Sequence, residues 1–301
     1  MKNKGWRVED IVKILPDGCS IVGNIKDHCV SRLSSLDDAD ENSLIWISPQ
    51  KKNIAEIITK TPARVIICPE CADISAAGSK CFIVSPNPKV AFLRILNELY
   101  GEKIKWGIEK SAIINPESKI SRETYIGPNS YVGCSSIEDG AILYGNNYIY
   151  DNVAIGKNVI IQAGAVIGAD GLGHILNENG VYENFKHIGK VIIEDGVEVG
   201  VNSHICKGTL FNTIIGKNTK IDTHVQIGHN AVIGENVIIT SHAIIGGSSK
   251  VGNGTYIGLG AVIIDNVVIG SNAHIGPGAI IISNVADNAK YVSRSAFCLP
   301  Q

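Results

Sequence analysis

The stretch Ile215-Gly-Lys-Asn-Thr-Lys-Ile221-Asp-Thr-His-Val-Gln-Ile227-Gly-His-Asn-Ala-Val-Ile233-Gly-Glu-Asn-Val-Ile-Ile239 decides the fold. Its apolar residues stand six apart, and the spacing continues through Ile245, Val251, Ile257, Ile263, Ile269, Ile275 and Ile281. A period of six suits neither a helix nor the two-residue alternation of a lone strand, so it describes a coil with three equal sides. Glycine follows the apolar residue at Gly216, Gly228, Gly234, Gly246, Gly252, Gly258, Gly270 and Gly276. The residue four places after it is small or β-branched, as at Ala231, Val237, Ala243, Ser249 and Thr255. Each hexad therefore reads as a short strand and a bend, with the branched side chain inward and glycine at a corner where φ is positive or space is short. Three hexads close one triangular turn, and parallel pairing about 4.8 Å apart stacks position n under n+18. Ile221, Ile239, Ile257 and Ile275 are expected to form one interior column.

The rhythm also runs through Ile114, Ile120, Ile126 and Val132, then Leu143, Ile149, Ile155, Ile161 and Ile167, then Ile193, Val199 and Ile205. The slips between Val132 and Leu143 and between Ile205 and Ile215 predict bulges or corner insertions. From Ala169 to Lys190 the pattern stops, and Gly171, Gly173, His174, Gly180, Tyr182, Phe185 and His187 predict a long loop leaving one corner. A regular solenoid has no need of such a loop, so it is read as functional.

Four of the 32 glycines fall in residues 1 to 100, which marks a domain boundary. Residues 1–104 read as a small α/β domain and 105–301 as the prism, entered near Ser111. Helical patterning covers Val8 to Leu15 and Asn53 to Ile58, and short strands Ser20 to Val22, Leu44 to Ile47, Val65 to Ile67 and Phe82 to Val84. Asn87-Pro88 opens a further helix as N-cap and first-turn proline, its apolar face made by Val90, Phe92, Leu93, Leu96 and Leu99.

With a net charge of −2, the 301-residue chain carries no basic excess of the kind nucleic-acid binding requires. It shows neither an export signal nor an apolar run of about 18 residues, so a cytoplasmic protein without a membrane span is expected. The eight cysteines form no framework and read as reduced thiols. Cys68-Pro-Glu-Cys71 lacks the second pair that a four-ligand metal site needs, and no metal is assigned.

Seven of the eight histidines lie in the second half. His229, two residues past Ile227, should point outward from a corner, with Gly247 one turn above it. An imidazole beside a backbone N–H suits acyl transfer: the ring takes a proton from an amine or hydroxyl while the amide holds the tetrahedral oxyanion. The plain alternative is a row of ordinary polar corner residues.

Asp222-Thr-His224-Val-Gln226-Ile-Gly-His229-Asn230, continuing Ala-Val-Ile-Gly-Glu-Asn, resembles the active-site hexads of the UDP-3-O-acylglucosamine N-acyltransferases of lipid A (lipopolysaccharide) biosynthesis. Asn87-Pro-Lys-Val-Ala-Phe-Leu-Arg-Ile-Leu96 resembles the family's Asn-Pro helix, Gly168-Ala-Asp170-Gly171-Leu-Gly173 its loop, and Val191-Ile-Ile-Glu-Asp-Gly-Val-Glu-Val-Gly200 the coil after that loop. The likeness spans nearly the whole chain. It implies a mainly β protein, a left-handed parallel β-helix preceded by a small α/β domain and assembled as a homotrimer with clefts between protomers. Its implied catalytic residues are His229 as base and Gly247 as oxyanion donor, with Asp222 or Asn230 orienting the ring. Substrate would meet Asn230, Gln226, His224, His242 and Asp170, and a nucleotide base would stack on Trp46.

Some positions depart from the family. Its Asp-Arg-Gly reads Cys206-Lys207-Gly208, which removes a bidentate guanidinium. The family's second uracil-gripping tyrosine is replaced near Lys52, and Asn266 stands in place of a further histidine. The sequence closes with Phe297-Cys-Leu-Pro-Gln301, without the family's C-terminal helices. Two acyl thioester co-substrates therefore stay open, acyl carrier protein and coenzyme A, with no tightly bound cofactor. The second would make the chain an N-acetyltransferase acting on a UDP- or dTDP-amino sugar for surface polysaccharide. Two other classes remain: a zinc-dependent carbonic anhydrase-like enzyme using His224, His229 and His242, and a non-catalytic scaffold.

Overall fold

The computed structural model describes residues 5–26, 28–75 and 78–293, and the chain divides into two compact units between Lys103 and Ile104. In the second unit, three parallel sheets of eight, ten and nine strands form the sides of a prism. Through the regular part each strand pairs with the one a full turn further on, as Ile221 with Ile239, Ile239 with Ile257 and Ile257 with Ile275. The expected interior column is therefore present, and its four isoleucines are buried. Its first rung lies at Gly107–Ile108, paired with Tyr125–Ile126, slightly earlier than the hexad count indicates.

Of the two reasons the sequence offers for glycine at these corners, shortage of space is the one that applies. Glycines such as Gly228 and Gly216 do not have positive φ; they are small because the next coil passes overhead. A Cβ on Gly228 would stand 2.6 Å from Gly247 N, and one on Gly216 2.6 Å from Gly234 C. The left-handed conformation falls two places later, on Asn218, Asn230, Asn236, Asn266 and Asn272, and on His224 and His242, at φ between 54° and 61°. Asparagine is enriched there because its short polar side chain tolerates that region. Inside the prism the small hydroxyl residues are satisfied: Thr219 Oγ1 donates to Gly234 O at 2.8 Å and accepts Val237 N–H at 3.1 Å, and Thr255 repeats this with Gly270 O and Ala273 N–H.

The first register slip is a shortening rather than an insertion. Tyr131 pairs with Tyr148 where a full turn would reach Ile149, and Lys119 pairs with Ser136 where it would reach Ile137, so a corner position is missing between Val132 and Ile137. The second slip is an insertion, since Val191 pairs with Thr213 where a full turn would reach Thr209. The long loop spans the jump from Val153 to Val191 and carries its own antiparallel hairpin, His174–Leu176 with Tyr182–Asn184.

Ile245, fully buried, stacks between Ile227 and Ile263. Ile245→Ala is expected to cost about 2–5 kcal/mol, because rigid coils above and below cannot collapse into the void; the shift of the urea unfolding midpoint at constant m measures it.

The first unit holds a five-stranded sheet in the order Ser20–Val22, Cys81–Ser85, Val65–Pro69, Ser43–Trp46, Arg32–Leu33, with the first pair antiparallel and the rest parallel. Helices Val8–Val12, Ile54–Lys60 and Pro88–Tyr100 flank it. Asn87 caps the last one, its Oδ1 accepting Val90 N–H at 3.3 Å. That helix buries Pro88, Ala91 and Ile95, with Phe92 and Leu99 packed beside them, whereas Val90, Leu93 and Leu96 are exposed. The core-facing stripe thus follows 88, 91, 95 and 99, the helical period set by the sheet beneath. Among the described residues no helix is long and apolar enough to cross a membrane. Residues 297–301 lie outside the described residues.

Candidate active site

One edge of the prism, where the nine-stranded sheet turns into the eight-stranded one, gathers the unusual features of successive coils. From the loop upward they are Asp170 to Lys190, the insertion Lys207 to Asn212, His229 with Asn230, Gly247, and Asp265. The regular turn brings them together, as the sequence reading expects for residues 229 and 247.

His229 is partly buried and held on several sides. Asn230 Oδ1 accepts the Thr209 backbone N–H and the Thr209 hydroxyl, each at 2.9 Å, which identifies that atom as the amide oxygen. It lies 3.0 Å from His229 Nδ1, so Nδ1 must carry the proton and donate. Nε2 is left with its lone pair. A Cβ on Gly247 would stand 2.8 Å from that nitrogen, and one on Gly171 would stand 2.7 Å from His229 Cδ2. Both glycines are required by contact with the ring. Asn230 sits at the left-handed corner position, φ 60°, so the conformation that favours asparagine also sets its amide beside the preceding histidine.

Loop and insertion are tied to this corner. Ile188 N–H and Gly189 N–H both donate to Thr209 O, at 2.7 and 2.9 Å. Lys207 Nζ, partly buried, pairs with Asp170 Oδ1 at 2.7 Å, so the lysine that stands in place of an arginine closes the loop base. His187 is 2% exposed, with its ring centroid 5.5 Å from that of His229 and nearly perpendicular to it. Its Nδ1 donates to Phe185 O at 3.0 Å. Its Nε2 is buried and has no hydrogen-bond partner among the described residues. A Cβ on Gly173 would meet its Cε1 at 2.7 Å, so the loop's Gly171 and Gly173 each rest on one imidazole.

Other residues are placed differently from expectation. Gly247 N–H does not stand open; it donates to Asp265 Oδ1 at 2.6 Å. The same bond, from the amide after a corner glycine to a carboxylate or amide oxygen on the next coil, recurs from Glu235 to Asn253 and from Ser271 to Asp287. Asp222 lies at another corner, between the ten- and nine-stranded sheets, where it accepts Thr223 N–H and the Ser241 hydroxyl. The Ser241 bond holds its carboxyl below the usual range. Within this chain, Asn230 and not Asp222 orients His229.

His224 and His242 share the Asp222 corner and stack face to face at 5.1 Å, exposed, so they do not converge with His229 on a common point. Gln226, on the outer face of the nine-stranded sheet, accepts from His204 Nδ1 at 2.8 Å and donates to Cys206 Sγ at 3.5 Å. Burial pushes the Cys206 thiol up. Trp46 packs against the core of the first unit, alongside Leu33 and Phe92. Among the described residues no group of three or more His, Cys, Asp or Glu could hold a metal ion.

Thr209, Asp265 and the contact of His187 with His229 complete this corner beyond the residues that the sequence singles out. Asp265 could have been found by counting one more turn from Gly247. Thr209 could not, because the insertion breaks the count.

The family model described as "Bacterial transferase hexapeptide (six repeats)" matches residues 134–169, 212–247 and 248–283. The UDP-3-O-acylglucosamine N-acyltransferase of Fusobacterium nucleatum subsp. nucleatum is 41% identical over 242 residues, covering 75% of this chain and 70% of that protein. The same-named protein of Coxiella burnetii (strain Dugway 5J108-111) is 50% identical over 68 residues, 23% of this chain and 20% of its own length. Among solved structures, UDP-N-acetylglucosamine O-acyltransferase from Moraxella catarrhalis RH4 superimposes with a TM-score of 0.55 at 24% identity, over 62% of this chain and 71% of that one, a likeness of fold.

Proposed function

The chain belongs to the UDP-3-O-acylglucosamine N-acyltransferase family, and from that premise we propose that it moves an acyl group from a thioester to the amino group of a nucleotide-linked amino sugar, with His229 as general base. The observation that supports this reading is the tautomer: Asn230 Oδ1 accepts a hydrogen bond from Nδ1–H, which leaves the lone pair on Nε2, beside Gly247.

The neutral amine attacks the thioester carbon while Nε2 accepts its proton, and the C–N bond forms as the carbonyl oxygen becomes an oxyanion. Collapse of the tetrahedral intermediate breaks the C–S bond, and the thiolate leaves with the proton returned by His229. Gly247 N–H, which already holds a carboxylate oxygen, is suited to an oxyanion once Asp265 yields. Asp170, set by Lys207 at the loop base, offers a carboxylate to the sugar hydroxyls. Trp46 is the ring on which the uracil would stack. The donor in this reading is an acyl carrier protein, in the cytoplasm.

A homotrimer with His229 at the seam fits the outer face of the nine-stranded sheet. Ile113, Tyr148, Ile244 and Ile280 on that face are all more than 40% exposed, a larger apolar stripe than an isolated prism needs.

The test offers acyl carrier protein and coenzyme A thioesters of short and long chains to UDP- and dTDP-amino sugars, reading free thiol and acylated sugar. Transfer from the carrier protein to a UDP-linked glucosamine amine is expected. Preference for acetyl-coenzyme A would move the chain to the polysaccharide acetyltransferases, and no thiol release from any pair by folded protein would end the proposal.

A further inference from the structure

We propose that His187 is a specificity-determining residue of the same site, its Nε2 accepting the second N–H of the attacking amine; this rests on the acyl-transfer reading above. The two imidazoles carry matching hydrogen-bond patterns. His229 Nδ1–H donates to Asn230 Oδ1 and His187 Nδ1–H donates to Phe185 O, so in each ring the lone pair is on Nε2. The rings are 5.5 Å apart between centroids, close enough for one small group to touch both.

An acceptor without a partner among the described residues is costly to bury, and a phenylalanine would fill the space without that cost. A primary amine repays it. With its lone pair committed to the carbonyl carbon, the nitrogen has two hydrogens to place, one on His229 Nε2 as the transferred proton and one on His187 Nε2 as an orienting bond. A hydroxyl in the same position has a single hydrogen and leaves one imidazole unsatisfied. The pair therefore selects N-acylation over O-acylation by counting hydrogens. The segment 171–173, with glycine at both ends, lies on the two rings, Gly171 against His229 and Gly173 against Cε1 of His187. The amine reaches the nitrogen as that segment lifts. The same corner also carries the Asp170–Lys207 ion pair at the loop base and Asp265 on the Gly247 amide.

The test compares transfer to the amino sugar with transfer to its hydroxyl analogue in the wild type, His187→Phe, His187→Gln and His229→Ala, with melting temperature followed in parallel. His187→Phe is expected to lower kcat/KM for the amine by about tenfold or more while leaving the slow hydroxyl reaction nearly unchanged, so that the amine-to-hydroxyl ratio falls. His187→Gln, whose side-chain oxygen can reach the Nε2 position, recovers part of that ratio and also carries the test if the phenylalanine variant fails to fold. An unchanged ratio in a folded variant, or equal loss on both acceptors in step with the melting temperature, overturns the inference while the acyl-transfer reading survives. A wild type inert toward every amino sugar overturns both.

Discussion

His229→Ala is expected to lower kcat by about 10²–10⁴-fold, the usual contribution of a positioned general base, if the proposed role holds. KM for the nucleotide sugar changes little, because the lost interaction is the proton acceptance that develops with C–N bond formation. Fold stability should barely move: the imidazole stands outside the prism, and its removal frees Asn230 to keep both bonds from Thr209. Steady-state kinetics beside a denaturation curve separate the two effects. A near wild-type rate in the alanine variant would remove His229 from the chemistry and leave a solvated corner residue in its place.

Gly247→Ala is expected to cost about as much as a one-ångström misplacement of a catalytic group, on the order of 10² in kcat. The new methyl would meet His229 Nε2 at 2.8 Å, Cε1 at 2.9 Å and Cδ2 at 3.2 Å, and those ring atoms are its three nearest neighbours. The burden therefore falls on the imidazole rather than on the coil. Gly228→Ala provides the contrast, since its Cβ would strike the Gly247 backbone at 2.6 Å and should cost stability first. If Gly247→Ala lost its activity only together with its melting temperature, the close approach of residue 247 to the base would be a scaffold contact and nothing more.

Asp222 and Asn230 illustrate how much of the site can be read along the chain. Both lie close to His229 in sequence and both carry side-chain oxygen, so local sequence offers either as the group that orients the ring. Counting hexads separates them, because Asp222 follows Ile221 and His229 follows Ile227, one full side of the triangle apart. The corner position of Asn230 then selects it, and only the donors arriving from Thr209 show that its oxygen, not its nitrogen, faces Nδ1. Gly247 marks the opposite limit. Its place above His229 follows from counting three hexads, whereas the engagement of its N–H by Asp265 depends on a side-chain rotamer one coil further up. The helix Pro88–Tyr100 shows the same division: its start is written in Asn87-Pro88, but which of its two apolar stripes is buried was set by the sheet it meets.

The prism is encoded in the chain's own spacing. A repeat of six can be satisfied only by strands that pair with copies of themselves, so each isoleucine specifies its own neighbour one turn along, and the coils need no distant partner to define their fold. The clamp at the edge exists only in three dimensions, where a loop of irregular sequence returns through Ile188 and Gly189 to Thr209 and lays Gly171 and Gly173 on His229 and His187. Periodicity cannot report that closure, because the segments that form it are those that left the repeat, and their contacts are chosen by surface fit and hydrogen-bond pairing rather than by spacing along the chain.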